Sequence, residues 1–348
     1  MNPRIRSEWC GAMCKTYLGK LAEKDPLHDY LLNTIQPQVQ GYAAKAKYRV
    51  FKLNGSNDVF LYEDKYTGMK VVGKFFLSSR KRDAKKAAAH LTSEFENLTR
   101  MRDYGMTGYP HTIVRPLGRN YAMNALLITE NCDGELLSEA ILTTIHGGDQ
   151  DRLYNRLTTL AHFLSVFHNR TAIGEAVDFN QDCTYLDSLI RQLSRIGANR
   201  DEATRELCWF RDQWRNQSRM WEDQQVLVHG DATPENFIFG GGKSVIGLDL
   251  ERAKRADRVF DIGRIAGELK HFFMRWTGNR DNAEPFIGHF LWEYACHFPD
   301  RERTFRSITR RIPFYMGMTL LRISRNDWVD NVYRRELLHE ARLCLGSF

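Results

Sequence analysis

The chain has 348 residues, of which 43% are hydrophobic and 12% aromatic, and its formal net charge is +7. That composition excludes wholesale disorder, and the length favours two packed lobes over one core. The seven cysteines lack CxxC spacing, and no apolar run approaches the ~20 residues of a membrane span. We therefore expect a cytoplasmic protein. Its modest positive charge would suit acidic partners such as nucleotides, phosphates or nucleic acid.

The first segment carries apolar residues about four positions apart between residues 5 and 45, interrupted by Pro26. This spacing predicts two helices, which form an N-terminal helical extension over residues 1–46. These helices would either cap the first lobe or offer a surface to a partner protein.

Strands dominate the next segment, with turn-rich breaks at 54–58 and 65–68. The pattern predicts a three-stranded antiparallel start, a helix over 84–104 and two further strands, the strands lying at 48–53, 59–62, 69–76, 112–117 and 125–129. The basic stretch 80–86 lacks interleaved aromatic residues, so it predicts a solvated loop rather than a nucleic-acid surface.

Helices are predicted beyond residue 134, over 151–169, 184–196 and 201–221, and again from about residue 251 to the end. The sequence thus predicts an α+β fold of two lobes. Its β-rich N-lobe, with an antiparallel sheet, covers residues 47–130, and its largely helical C-lobe covers 131–348.

The stretch 226–251, VLVHGDATPENFIFGGGKSVIGLDLE, is the most informative in the chain. A short apolar strand ends abruptly in His229-Gly230-Asp231, and the two strands of a hairpin follow around a glycine-rich turn. Antiparallel pairing would bring Asn236 and Asp249 to the same open end. Their hard oxygen atoms suit Mg²⁺, and Asp231 could orient or deprotonate an attacking hydroxyl.

These residues resemble the aminoglycoside phosphotransferase and choline kinase-like family, a branch of the protein-kinase-like fold. The resemblance rests on the spacing from His229-Gly230-Asp231 to Asn236 and Asp249, and on the later segments 256–258 and 260–263. It implies ATP and Mg²⁺ as cofactors. Asp231 would be the catalytic base, and Asn236 and Asp249 would be the metal ligands.

The resemblance also assigns supporting roles to three neighbours. Asp261 would be a structural aspartate that holds the catalytic loop, and His229 an architectural hydrogen-bonding residue. Glu251 would either bind a second metal ion or face solvent, and the sequence does not decide between the two.

The N-lobe should then supply the nucleotide clamp. Lys74, on the third predicted strand, is placed to reach the phosphates, and Glu94 or Glu96 of the next helix would pair with it. We favour Glu96, which has the family's spacing to Met101. The remaining contacts would come from the first hairpin loop and from the interlobe hinge, at Gly55, Ser56, Asn57 and Glu130.

The predicted activity is transfer of the γ-phosphoryl group of ATP to a hydroxyl of a small molecule. Residues 265–348 carry thirteen Lys and Arg against ten Asp and Glu, which disfavours a polycationic aminoglycoside as acceptor but leaves its identity open. One alternative is a catalytically silent pseudokinase that senses nucleotides. Another is a protein Ser/Thr kinase, disfavoured because Gly230 stands where protein kinases usually carry arginine.

Overall fold

The computed structural model describes residues 15–53, 58–78, 83–198 and 201–348, which form two compact units. The first unit comprises Met1–Leu136 and Ile238–Glu251, and the second comprises Leu137–Phe237 and Arg252–Phe348. The predicted α+β class is confirmed, because strands concentrate in the first unit and helices make up most of the second.

The first unit contains two sheets. A six-stranded sheet has the order β1-β2-β3-β4-β8-β7, and a five-stranded sheet has the order β5-β6-β12-β11-β9. The strands of the first unit, including β11 at its boundary, are β1 (Thr16–Lys20), β2 (Tyr48–Leu53), β3 (Asp58–Asp64), β4 (Lys70–Phe75), β5 (Thr107–Gly108), β6 (His111–Ile113), β7 (Pro116–Asn120), β8 (Leu126–Glu130), β9 (Glu135–Leu136), β11 (Phe237–Phe239) and β12 (Val245–Gly247).

The N-terminal segment differs from the prediction. Residues 1–14 lie outside the described residues, but Thr16–Lys20 forms strand β1, which pairs antiparallel with β2, so the helix predicted there is wrong. Pairing to a sheet edge outweighed the helical spacing of a few exposed residues. The helical turns that follow are α1 (Pro26–Tyr30), the π-helical Leu31–Ile35 and α2 (Gln36–Val39).

These turns bury their apolar side chains in the core of the large sheet. Leu31 and Ile35 are fully buried in one cluster with Tyr48, Val71 and Ile128. The segment therefore caps the sheet, and the core would be exposed to water without it.

Helix α3 (Ala84–Asp103) confirms the helix predicted over 84–104. Asp83 caps its first turn by accepting a hydrogen bond from Lys86 N at 3.0 Å. By contrast, the strand predicted over 112–117 is split, because β6 joins the five-stranded sheet and β7 the six-stranded one. The split is consistent with Pro116, which has no backbone N–H and stands first in β7.

The described residues of the second unit are mostly helical, and they include a two-stranded ladder in which β10 (Val226–Val228) pairs with β13 (Lys254–Ala256). The sequence missed α4, and it placed the end of α7 too late. The helices are α4 (Leu137–Ile145), α5 (Gln150–Arg170), α6 (Asn180–Arg195), α7 (Asp201–Arg215), α8 (Val259–Thr277), α9 (Glu284–Ala295), α10 (Arg301–Thr309), α11 (Ile312–Ser324) and α12 (Asn331–Leu345).

Helices α8 and α11 approach closely along a seam of glycines. A Cβ atom at Gly263 would lie 2.4 Å from Tyr315 Cβ, and one at Gly267 would lie 2.8 Å from Thr319 Cβ. Real Cβ atoms keep larger separations, so only glycine permits this spacing. The seam fixes the relative positions of side chains that α8 and α11 contribute to the candidate site.

None of the helices that the structure describes combines the length and apolarity that crossing a membrane would require. Five of the seven cysteines lie among the described residues and are free thiols, namely Cys132, Cys183, Cys208, Cys296 and Cys344.

We predict that Gly267→Ala lowers the free energy of unfolding by about 1–3 kcal/mol, because the added methyl group overpacks the seam. The matched control is Gly288→Ala on α9, where nothing lies within 4 Å of the added atom. That change should be neutral or stabilise by about 0.5–1 kcal/mol through helix propensity. Chemical denaturation measures both variants, and equal effects would contradict the seam.

Candidate active site

Lys74 of β4 is buried and contacts a carboxylate on α3. Its Nζ atom lies 2.7 Å from Glu94 Oε2, and both side chains are almost fully covered. The prediction that Glu96 is the partner is wrong. Two positions along a helix turn a side chain by about 200°, and Glu96 faces outward, half exposed and 3.8 Å from Arg119.

The turn after β12 brings two more carboxylates to the same lysine. Asp249 Oδ1 lies 3.0 Å from Lys74 Nζ, and Glu251 Oε2 lies 3.5 Å from it. Asn97 holds this turn, because its Nδ2 donates to the Leu250 carbonyl at 2.9 Å. Glu251 therefore joins the cluster rather than standing apart in solvent.

The lysine cannot balance this cluster alone. Burial by itself would lower the pKa of Lys74, but Glu94, Asp249 and Glu251 raise it, and the net shift is upward. Burial raises the pKa of Glu94, and the adjacent Lys74 ammonium group opposes that shift. Three carboxylates sharing one ammonium group leave an excess of negative charge.

The donor set fits a small divalent cation. One oxygen from each of Glu94, Asp249 and Glu251 lies within 4.8 Å of the other two. Asp249 Oδ1 is buried, and the Lys74 ammonium group that it contacts at 3.0 Å is shared with the two glutamates. Carboxylate oxygens are the ligands that Mg²⁺ prefers, and a cation here would offset the excess charge.

Asp261 holds the loop after β10 through hydrogen bonds to its backbone. The Asp261 carboxylate accepts hydrogen bonds from His229 N at 2.6 Å and Gly230 N at 3.0 Å. His168 Nε2 lies 3.1 Å from the same carboxylate, and its Nδ1 lies 2.9 Å from the Tyr294 hydroxyl. Burial lowers the pKa of His168, so a neutral ring donates to Asp261 and accepts from Tyr294.

Asp261 is ionised despite complete burial. Burial would raise the pKa of this carboxyl, but hydrogen bonds from His168 and the His229 backbone lower it, and the net shift is downward. The loop is thus fixed through its backbone, and the His229 ring is buried.

Gly230 is required by the shape of this loop. Its φ of +78° lies in the left-handed region, and an added Cβ would lie 2.0 Å from the carbonyl oxygen of Arg252. No side chain fits there, which explains physically why the position carries glycine rather than the arginine of protein kinases.

Asp231, the next residue, is surrounded by guanidinium groups. Its Oδ1 lies 3.1 Å from Arg264 Nη1 and 3.4 Å from Arg322 Nη2. Its Oδ2 lies 3.8 Å from Arg252 Nε. Burial would raise the pKa of Asp231, but Arg322, Arg264 and Arg252 lower it, so the carboxylate is ionised.

Asn236 is tied to the same loop. It ends the 3-10 turn Pro234–Asn236, and its Nδ2 donates to the Asp231 carbonyl at 2.8 Å. That bond fixes which end of the amide is the donor and leaves Oδ1 as the atom that could bind a cation.

The arginines were missed by sequence reasoning. Arg264 stands three positions after Asp261 on α8, which is a helical spacing that could have identified it. Arg322 comes from α11, about ninety residues after Asp231, and carries no local signal.

The other predicted nucleotide contacts receive less support. Gly55, Ser56 and Asn57 lie outside the described residues. Glu130 ends β8, and its side chain is engaged within the sheet, because Oε1 accepts a hydrogen bond from Arg115 N at 2.8 Å.

Residues 47–298 match the family model described as APH, phosphotransferase enzyme family. A search of curated protein sequences finds no match.

Similar solved structures share the fold at low sequence identity. An ethanolamine kinase of Plasmodium vivax has a TM-score of 0.59 and 13% identity, covering 91% of this chain and 86% of that one. A choline kinase from Streptococcus pneumoniae has a TM-score of 0.52 and 14% identity, covering 93% and 100%. An ADP-bound aminoglycoside phosphotransferase has a TM-score of 0.52 and 14% identity, covering 93% and 97%.

We predict that Gly230→Ala destabilises the protein by about 2–4 kcal/mol, since it adds a steric clash to a left-handed backbone. The matched control is Gly278→Ala, where φ is +71° but nothing lies within 4 Å of the added Cβ. It should lose only about 1–2 kcal/mol. Thermal unfolding measures the difference, and equal losses would show that the Arg252 carbonyl imposes no constraint.

Proposed function

Since the chain belongs to the phosphotransferase enzyme family, we propose that it transfers the γ-phosphoryl group of ATP to a hydroxyl group of a small molecule. The observation that carries this proposal is the contact of Lys74 with Glu94 and Asp249. A buried ammonium group held between carboxylates is suited to bind phosphate oxygens, because it is already ordered and charged.

Each of the site residues would have a different role in the reaction. Asp231 would accept a hydrogen bond from the acceptor hydroxyl and take its proton as the oxygen attacks. A bond forms between that oxygen and the γ-phosphorus, and the bond to the bridging oxygen of ADP breaks. Asp261 would keep Asp231 in place through the backbone of the loop.

Asn236 and Asp249 would hold Mg²⁺, and Glu251 would provide a further carboxylate beside Asp249. When bound, the cation supplies positive charge that offsets the negative charge of the phosphate groups. Lys74 would bind the phosphates of the nucleotide, with Glu94 orienting its side chain. Backbone groups near Gly55, Ser56, Asn57 and Glu130 would complete the nucleotide contacts.

We predict that Asp231→Asn reduces phosphoryl transfer by at least about 100-fold, because the amide cannot accept the proton. The assay uses labelled ATP and a small-molecule extract, and circular dichroism checks that the variant is folded. The control is Asp327→Asn, an exposed position that should retain full activity. Undiminished transfer by the folded Asp231→Asn variant would overturn the proposed role. Nucleotide binding by the unmodified protein, without any transfer, would instead favour a silent nucleotide-sensing module.

A second prediction compares two glutamates on one helix. Glu94→Gln should lower kcat/KM for ATP by roughly tenfold to hundredfold, because Lys74 loses its nearest anchor and its position shifts. Glu96→Gln should change it by less than about twofold, as expected of an exposed side chain. Steady-state kinetics at varied ATP concentration decide, and a larger effect at Glu96 would restore the sequence prediction.

A further inference from the structure

The surroundings of Asp231 contain more positive than negative groups. Arg322 reaches both Asp231, at 3.4 Å, and Glu268, at 3.1 Å. Arg264 is buried and contacts Asp231 as well. Two carboxylates thus face these two guanidinium groups before any other arginine is considered.

Arg325, which caps the C-terminal end of α11, adds a further cation three residues after Arg322. Its Nη1 donates to a neutral acceptor, Gln192 Oε1, at 2.6 Å. Burial lowers the pKa of Arg325, and the neighbouring arginines Arg322, Arg252 and Arg264 lower it further. The side chain therefore lies in an electropositive environment.

Among the described groups that interact around Asp231, four are arginines and three are carboxyl groups. The positive groups are Arg252, Arg264, Arg322 and Arg325. The negative groups are Asp231, Glu268 and the exposed Glu235, and Arg322 interacts electrostatically with Glu235. Burial raises the pKa of Glu268, and the adjacent Arg322 guanidinium group opposes that shift.

Tyr185 of α6 lies in the same electropositive environment. Its hydroxyl is hydrogen-bonded to Arg264. Burial would raise its pKa, but Arg264 and Arg322 lower it. A phenol beside three guanidinium groups, those of Arg264, Arg322 and Arg325, is the reverse of the carboxylate-rich wall that a polycation needs.

We propose, on the basis of the phosphotransferase function above, that the acceptor carries an anionic group, a phosphate or a carboxylate, near the hydroxyl that is phosphorylated. Arg325 binds this group, because its hydrogen-bond partner is the neutral Gln192, whereas Arg322 is already paired with Asp231 and Glu268. Guanidinium groups match both anions with paired hydrogen bonds. Asp231 meets the hydroxyl, while Arg264, buried and already engaged, holds the Asp231 carboxylate.

The first experiment identifies the charge of the acceptor. A small-molecule extract is separated on ion-exchange resins into anionic, neutral and cationic fractions, and each is incubated with the protein, Mg²⁺ and γ-labelled ATP. Labelled product should form from the anionic fraction. Pretreating that fraction with alkaline phosphatase, then removing the enzyme, should abolish labelling if the group is a phosphate ester and spare it if it is a carboxylate.

The outcomes separate this inference from the function on which it rests. Labelling confined to the neutral or cationic fraction would overturn the anionic acceptor while leaving phosphoryl transfer intact. Absence of labelling from every fraction would contradict the proposed function itself, and this inference with it.

The second experiment tests the residues. Arg325→Gln should raise the half-saturating concentration of the anionic fraction at least tenfold and leave that of ATP unchanged, and Arg325→Lys should restore part of the loss. The matched control, Arg335→Gln on the exposed face of α12, should alter neither value. Parallel changes for ATP and acceptor, or no change, would overturn the assignment of Arg325.

Discussion

The buried carboxylate of Asp261 is the constraint on which the second unit's site depends. It accepts two backbone hydrogen bonds from the loop after β10 and a third from His168, whose other nitrogen is bonded to Tyr294. Three donors stabilise an ionised group that burial alone would neutralise. The loop's backbone is thereby fixed before any substrate binds, and Asp231 follows it in the chain at a defined position.

The two units carry opposite electrostatic designs. In the first, one ammonium group is shared by three carboxylates, Glu94, Asp249 and Glu251. In the second, one carboxylate is shared by several guanidinium groups. Each arrangement is out of balance by itself. The negative excess suits a metal cation, and the positive excess suits phosphate groups or an anionic acceptor, so each group of residues indicates the charge of what it binds.

Much of the fold could be predicted from sequence, because strand alternation and helical spacing are local signals. The candidate site residues between 229 and 236 and at 249 come soon after the ends of short strands, and such strand ends are also local signals. The failures arose where distant contacts decide. Glu94 and Glu96 differ only in which side of α3 faces the sheet, and β1 exists because β2 offers it an edge. Arg322 reaches Asp231 only through the packing of α11 on α8, which no short window of sequence contains.

The backbone at Asp249 has a consequence for sequence variation. Its φ of +52° belongs to a region that aspartate, asparagine and glycine enter more readily than other residues do. The residue at position 249 thus has to supply a carboxylate oxygen and to tolerate a left-handed backbone. Of the two amino acids with a carboxylate side chain, aspartate enters this region at the smaller backbone cost. Glutamate, although it has the same charge, would have to adopt an unfavourable backbone and place its oxygen one methylene farther away.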